Sequence, residues 1–302
     1  MKKNVIMFFP LKNHTIDLTH PYQELRNAEE KQNTLLGSFP SEVGVFMARG
    51  EHSYCGGEEF SPQFQKIGNT WFPYTGTVHA DLVLGFEIPA GVKNIFNSMH
   101  TLTRNKCNIE EIFPEITLKS KLCLNYQDIV HNFLNVSSRL KVLKPRDGTR
   151  SRGIFIGENL PDNEILETKN FPYILQDFFD TSAGFYEFPG LHDCRIILLD
   201  GKIIGKFLRQ PEVGTYIANT FRNGGFIDLK DWEIPVELQK IIQTIESYCS
   251  KKYKHRYYSI DVGQGPNGEL KIFELNSAPG LTNNFISSEL GNYIVKNILK
   301  LT

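Results

Sequence analysis

The stretch Tyr257-Tyr258-Ser259-Ile260-Asp261-Val262-Gly263-Gln264-Gly265-Pro266-Asn267-Gly268-Glu269-Leu270-Lys271-Ile272-Phe273-Glu274-Leu275-Asn276 decides how this chain is read. Two apolar runs flank a glycine-rich centre, and Asn267-Gly268 is the preferred pair for a two-residue type I′ turn, so a β-hairpin is expected. A turn at those two residues sets Asp261 opposite Glu274. Asn276 lies two residues further on and shares their face. Pro266 removes a ladder donor beside the turn, and a longer loop would shift the register.

Three oxygen-bearing side chains on one face form the hard-ligand environment that Mg²⁺ requires, with coordination positions left for phosphate oxygens. Carboxylates on a generic hairpin more often make a solvated face. Here Glu274 and Asn276 are embedded in an apolar strand, and Ser277-Ala278-Pro279-Gly280-Leu281 after them reads as a sharp, ordered turn.

Working outward, Leu140-Lys141-Val142-Leu143-Lys144-Pro145 reads as a strand ending at the proline. Arg146-Asp147-Gly148-Thr149-Arg150-Ser151-Arg152-Gly153 then leads into another strand. Backbone N–H groups of such a loop can cradle phosphate, with Lys144 as a point charge at the strand end. It is not a Walker A motif, because the loop joins two strands and the G-x-x-x-x-G-K-[ST] spacing is absent. An ordinary basic hairpin tip is the alternative. A second hairpin, His192 to Arg209, turns at Asp200-Gly201, which places Arg195 near Lys206. Arg195, Arg209 and Arg222 would repel one another unless an anion lies among them, so a phosphate-facing basic cluster is expected, with exposed rim arginines as the bland alternative.

Length and composition bound these readings. The chain has 302 residues, room for two lobes, and is 40% hydrophobic and 22% charged. With 33 Lys+Arg against 34 Asp+Glu the formal charge is −1, so no overall field draws the chain to nucleic acid or an anionic membrane. Five scattered cysteines without a C-x-x-C pair fit reduced thiols in a cytoplasmic protein. Lys2, Lys3 and the apolar run from Val5 to Phe9 mimic a signal peptide, but Pro10 stops the run short of the roughly 7–15 residues required. No run approaches the ~18 apolar residues of a membrane span. Residues 1–100 read as a small mixed α/β lobe with short apolar runs at Asn4 to Phe9, Glu42 to Ala48 and Ala80 to Phe86. Residues 101–302 read as a second domain, rich in hairpins, with helices at Pro235 to Ser250 and Phe285 to Leu299.

The ordered set Lys106, Lys144-Pro145 with its glycine loop, Leu175-Gln176-Asp177-Phe178-Phe179, Asp193-Cys194-Arg195, Asn219 to Gly225, Asp261, and Glu274 to Gly280 resembles an ATP-grasp ligase over about residues 100–285. It is similar to the branch holding the ribosomal-protein glutamate ligase and bacterial glutathione synthetase. The resemblance implies an α+β (α/β) fold, with a preceding small α/β lobe and nucleotide held between two antiparallel-sheet lobes, the lid covering about residues 110–175. It implies ATP and Mg²⁺, with Mn²⁺ as a substitute. Lys106 and Lys144 would bind the nucleotide phosphates under the loop from Asp147 to Gly153, including Gly148, Ser151 and Gly153, and Gln176, Asp177, Phe178 and Phe179 would form the adenine hinge. Asp261, Glu274 and Asn276 would hold the metal, and Arg209 and Arg222 would steady the transferred phosphoryl group. Asp193 and Arg195 match the family's Asp-x-Arg position near acceptor or phosphate, and Asn219 falls in a nucleotide-contacting segment. The implied reaction joins a carboxylate to an amine through an acyl phosphate and releases ADP and phosphate. A carboxylate-thiol ligase, phosphotransfer to a hydroxyl, or a catalytically silent ATP-binding module would use the same cleft. Expected partners are small-molecule or peptide carboxylate and amine substrates, with no nucleic acid and no membrane, and a homo-oligomer is left open. The three lid arginines, Arg146, Arg150 and Arg152, depart from the small residues the family often uses there.

Other signals point elsewhere and are weaker. Gly56-Gly57-Glu58-Glu59-Phe60 reproduces a diguanylate cyclase signature without its supporting motifs and reads as a polar loop. His52 and Cys55 have zinc spacing but no second pair. His192 and Cys194 share a strand face without an orienting third group, so a structural Cys194 is expected. Lys251 to Arg256 reads as a solvated helix end rather than an RNA contact.

Overall fold

The computed structural model describes residues 2–9, 34–68, 70–85, 88–97, 99–147, 151, 153–162, 166, 171–218, 225–277, 279 and 284–301. The chain divides into two compact units, Met1–Ser98 with Pro279–Thr302, and Met99–Ala278. The C-terminal segment, grouped by sequence with residues 101–302, therefore belongs with the first unit.

The first unit contains β1 (Asn4–Phe9), β2 (Gly44–Arg49), β3 (Tyr54–Gly56), β4 (Glu59–Phe60), β5 (Phe64–Ile67), β6 (Thr70–Pro73), β7 (Val78–His79) and β8 (Leu82–Gly85). One sheet runs β6-β5-β2-β1-β8, with β1 parallel to both neighbours, and a smaller one runs β3-β4-β7. Val5, Ile6, Met7 and Phe8 are all buried, as expected for a parallel strand covered on both faces, and this is why the run shows no alternation. Gly56 to Phe60 forms the β3–β4 hairpin rather than a polar loop. Gly56 and Gly57 adopt φ of 111° and 58°, which lets the chain turn, and Phe60 is fully buried.

The second unit carries β9 (Ser120–Cys123), β10 (Lys141–Pro145), β11 (Phe155–Gly157) and β12 (Tyr173–Asp177) in an antiparallel sheet ordered β11-β10-β12-β9. A second antiparallel sheet, β15-β14-β13-β16-β17, uses β13 (Asp193–Leu199), β14 (Lys202–Gln210), β15 (Gly225–Asp228), β16 (Tyr257–Gln264) and β17 (Leu270–Asn276). The helix Val236–Lys252 buries Leu238, Ile241, Ile242, Ile245 and Cys249, the apolar stripe expected from their spacing. They pack with Cys194, Ile196, Leu198, Leu208, Tyr258, Ile260, Val262, Ile272 and Leu275 in one core. Each such aliphatic side chain stabilises the unit by about 1.5–3 kcal/mol. Strand alternation then sends Asp193, Arg195, Arg209, Asp261 and Glu274 to the opposite face. One face of this sheet is core and the other is chemistry.

Both hairpins of this sheet depart from the simplest register. In β16–β17, Gly265 N donates to Glu269 O (2.8 Å) and Gly268 N to Gly265 O (3.0 Å), so the loop is Pro266-Asn267-Gly268, one residue longer than expected, with Gly268 at φ 84°. A register shift between Asp261 and Val262 takes up the extra residue at Phe273 and restores Asp261 opposite Glu274 and Ser259 opposite Asn276. In β13–β14 the two-residue turn at Asp200-Gly201 forms as expected, with φ of 49° and 87°. A shift between Ile197 and Leu198 then places Arg195 opposite Phe207, not near Lys206, and Asp193 opposite Arg209. Among the described residues no helix is long and apolar enough to cross a membrane.

Candidate active site

The chemical face of the five-stranded sheet is a charged row running across four strands. Arg209 on β14 opposes Asp193 on β13, Arg195 on β13 opposes Asp261 on β16, and Asp261 opposes Glu274 on β17. Arg195 donates to Asp261 through Nε (2.7 Å) and Nη2 (2.5 Å), a two-point fork. Arg209 Nη2 donates to Asp261 Oδ2 (2.8 Å) and also to Asp193 Oδ2. Asp261 is 3% exposed. Burial alone would push its carboxyl up, but Arg195 and Arg209 outweigh that and hold it at about 2. Burial dominates at Asp193 and pushes it up to about 7, against the pull of Arg209. The anion that sequence reasoning required among the arginines is thus supplied, for Arg195 and Arg209, by the chain's own aspartates. Neither partnership was read from the sequence: the bulge on β14 sets Asp193 opposite Arg209, and Arg195 meets Asp261 through the pairing of β13 with β16, strands distant in sequence.

Two lysines from the neighbouring sheet and helix region reach the Glu274 end of this row. Lys106 Nζ lies 3.7 Å from Glu274 Oε1 and donates to Arg146 O (3.3 Å). Lys144, near the end of β10, donates to Phe273 O (3.3 Å), the carbonyl preceding Glu274. Burial draws the Lys144 ammonium down to about 8, and the negative charge of Glu274 opposes that shift. Pro145 ends the strand at this point, as the sequence indicated. Thr103 Oγ1 donates to Ser277 Oγ (2.7 Å), fixing the chain just after Asn276.

The segment Gln176 to Phe179, expected as the hinge, is tied to the loop that precedes β10. Asp177 accepts from Ser138 N (2.6 Å) and Ser137 Oγ (3.1 Å), and these donors hold its carboxyl below the usual range despite burial. Phe178 N donates to Ser138 Oγ (2.9 Å) and Leu140 O (3.2 Å), and Gln176 Nε2 donates to Leu118 O (3.4 Å). Phe179 packs edge-on against Phe273 at 6.0 Å, joining the hinge to the bulged strand. Phe178 meets Tyr216 at 5.2 Å, a contact with no sequence signal. Of the lid, Asp147 pairs with Arg146 (2.7 Å), and Ser151 and Gly153 hold φ of 54° and 71°. Gly148, Arg150, Arg152, Asn219 and Arg222 lie outside the described residues.

His192 and Cys194 are structural. His192 Nε2 accepts from Gln264 N (3.0 Å) while Nδ1 bonds Gly190 O (3.0 Å), and burial lowers its pKa. The Cys194 thiol is fully buried and pushed well up by that burial.

Among the described residues no three His, Cys, Asp or Glu side chains cluster as a metal cage. The donors here are two carboxylates and one amide, which suits Mg²⁺ completed by phosphate oxygens rather than an all-protein site. Three of the roughly four acceptor positions of the Asp261 carboxylate are used by the arginines, which leaves one on Oδ1. The residues fit the ion.

A carboxylate row on one antiparallel sheet, met by one lysine from a strand of a second antiparallel sheet and one from the start of a short helix, is the arrangement of an ATP-grasp protein. Solved structures agree on the fold. A VanG D-Ala:D-Ser ligase from Enterococcus faecalis matches with a TM-score of 0.67 over 97% of this chain and 99% of that one, at 13% identity. A D-alanine–D-alanine ligase from Bacillus anthracis matches with a TM-score of 0.60 over 99% and 98%, at 12% identity. More particularly, the chain belongs to the RimK-like ATP-grasp family, whose description matches residues 92–301. A probable alpha-L-glutamate ligase of Psychromonas ingrahamii is 25% identical over 161 residues, 52% of this chain and 47% of that protein. The match spans about half the length of that relative.

Proposed function

We propose that the protein is an ATP-dependent ligase joining a carboxylate to an amine, with an amino acid, peptide or small metabolite as substrate. The observation that carries this reading is the row Arg209–Asp193–Arg195–Asp261–Glu274 with Lys106 and Lys144 at its carboxylate end. Phosphoryl transfer needs charge neutralisation and alignment more than a strong base, and this face supplies fixed cations around a metal-ligand set. Asp261, Glu274 and Asn276 would hold Mg²⁺, which would neutralise negative charge on the phosphates. Lys144 and Lys106 would bind the phosphates, the 147–153 loop would cover them, and Gln176 to Phe179 would seat the base. Arg209 with Arg222 would steady the phosphoryl group in flight.

In the reaction, a carboxylate oxygen bonds to the γ-phosphorus as the bond to ADP breaks. The amine nitrogen then bonds to the acyl carbon, phosphate leaves with that oxygen, and the amine proton passes to phosphate or solvent. All five cysteines are free thiols, which fits a reducing, cytoplasmic setting.

Purified protein with Mg-ATP and pooled carboxylic acids, with and without pooled amines and thiols, tests the proposal by following ADP, AMP and phosphate. ADP plus phosphate only when acid and amine are both present is the expected outcome. AMP would overturn the acyl-phosphate route, and a requirement for thiols in place of amines would change the acceptor.

A further inference from the structure

Two charge networks adjoin the five-stranded sheet, one of them reaching the exposed Asp200, and they are built differently. Arg256 pairs with Glu246 (2.9 Å) and Asp200 (2.9 Å) and donates to Tyr253 O (2.9 Å), while the Tyr258 hydroxyl donates to Glu246 Oε1 (2.7 Å). That network ties the β13–β14 turn to the helix Val236–Lys252, and it leaves none of its buried side-chain atoms unpaired among the described residues. It has the satisfied valence of a structural element. In the other network, Arg209 Nε and Asp193 Oδ1 are buried without a hydrogen-bond partner among the described residues. An orphaned donor and an orphaned acceptor in one network are expensive for stability and call for another explanation.

The two arginines of this network also do different things. Among the described residues, Arg195 spends its planar fork on Asp261 alone, at two points, from the directly opposed position on the next strand. Arg209 uses the single nitrogen Nη2 to touch two aspartates and keeps Nε unpaired. A fork-to-fork pair fixes both the position and the plane of a carboxylate, which a point charge does not.

We propose that Arg195 is a positioning residue that acts through Asp261: its fork holds that carboxylate in the one orientation from which it joins Glu274 and Asn276 on a metal–nucleotide complex. Arg209 is then the arginine of this pair left to meet a ligand. The inference rests on the ligase reading above and divides the work of two arginines that sequence resemblance leaves side by side near the phosphate.

The test compares full-length wild type, Arg195→Lys and Glu274→Gln. Mn²⁺ binding is measured by electron paramagnetic resonance with and without ADP, alongside thermal midpoint and metal-free ADP affinity. Arg195→Lys keeps the charge and loses the fork. It is expected to fold with a modestly lowered midpoint and an unchanged metal-free ADP affinity, yet to bind Mn²⁺ in the presence of ADP about tenfold more weakly than wild type. Arg195→Gln, which keeps one donor, carries the same comparison if the lysine variant does not fold. Wild-type Mn²⁺ affinity in the folded Arg195 variant, with binding lost in Glu274→Gln, would overturn the positioning role and leave the ligase reading standing. Wild type that binds Mn²⁺ no better with ADP than without it would overturn the metal site, and the positioning role with it.

Discussion

Lys144 is held against its own preference. Burial draws its ammonium down to about 8, while Glu274 favours the charged form. Because the folded state releases this proton more readily than the unfolded chain, its contribution to stability rises with pH between about 8 and the ordinary lysine value. Nucleotide binding runs the other way, since deprotonation removes the phosphate partner. ATP affinity is expected to weaken as pH rises through 8, and Lys144→Arg is expected to remove that dependence. A titration of ATP affinity from pH 7 to 9 checks both, and a flat wild-type profile would place the phosphate elsewhere. Lys144→Ala removes a charged hydrogen-bond donor and should weaken ATP binding by about 10–100-fold. Glu274 stands at the junction of the carboxylate row and both lysines. Replacing it with Gln should lower Mg-dependent turnover by about 10²–10³-fold with the thermal midpoint unchanged, and unchanged turnover would mean that Glu274 is not a metal ligand.

At the scale of the element, the two hairpins show what a sequence discloses and what it does not. In β16–β17 the opposition of Asp261 and Glu274 was legible, although the turn is longer than Asn267-Gly268 alone suggested. The bulge at Phe273 cancels the extra loop residue. It also explains how Ile272 and Leu275 both reach the core while Glu274 faces the site. In β13–β14 the turn was legible and the distal register was not, because a bulge at Ile204, beside Gly205, intervenes and a single strand glycine does not by itself specify a bulge. Bulge positions follow from packing on both sheet faces rather than from local turn chemistry. Gly263 shows that packing directly. A Cβ there would lie 2.4 Å from Phe273 Cζ and 2.8 Å from Thr181 Cγ2. Gly263→Val should therefore displace the Phe273 ring and cost about 1–3 kcal/mol, read as a lowered thermal midpoint, and an unchanged midpoint would contradict the bulge geometry.

For the whole molecule, the order of motifs from Lys106 to Gly280 made the ATP-grasp class legible, and the residue 92–301 family match agrees with it. The first unit was legible only as short strands in a mixed lobe. Its three-stranded sheet rests on strands of two and three residues, too short to carry a periodic signal. Burial makes a prediction for the whole chain. Cys55 is exposed and Cys107 half-buried, whereas Cys123, Cys194 and Cys249 are buried. Alkylation followed by mass spectrometry should label Cys55 first, Cys107 more slowly, and the remaining three only on unfolding. Early labelling of Cys194 or Cys249 would contradict the packing of the helix Val236–Lys252 on its sheet.

Activation of a carboxylate as an acyl phosphate is the step on which the ligase reading stands. Once a turning-over acid is in hand, the most direct test is to supply it enriched in ¹⁸O at the carboxylate, with Mg-ATP and the amine, and to weigh the inorganic phosphate released. One ¹⁸O per phosphate alongside ADP is expected, because the oxygen that attacks the γ-phosphorus leaves with it. Unlabelled phosphate, or label recovered in AMP, would contradict that step.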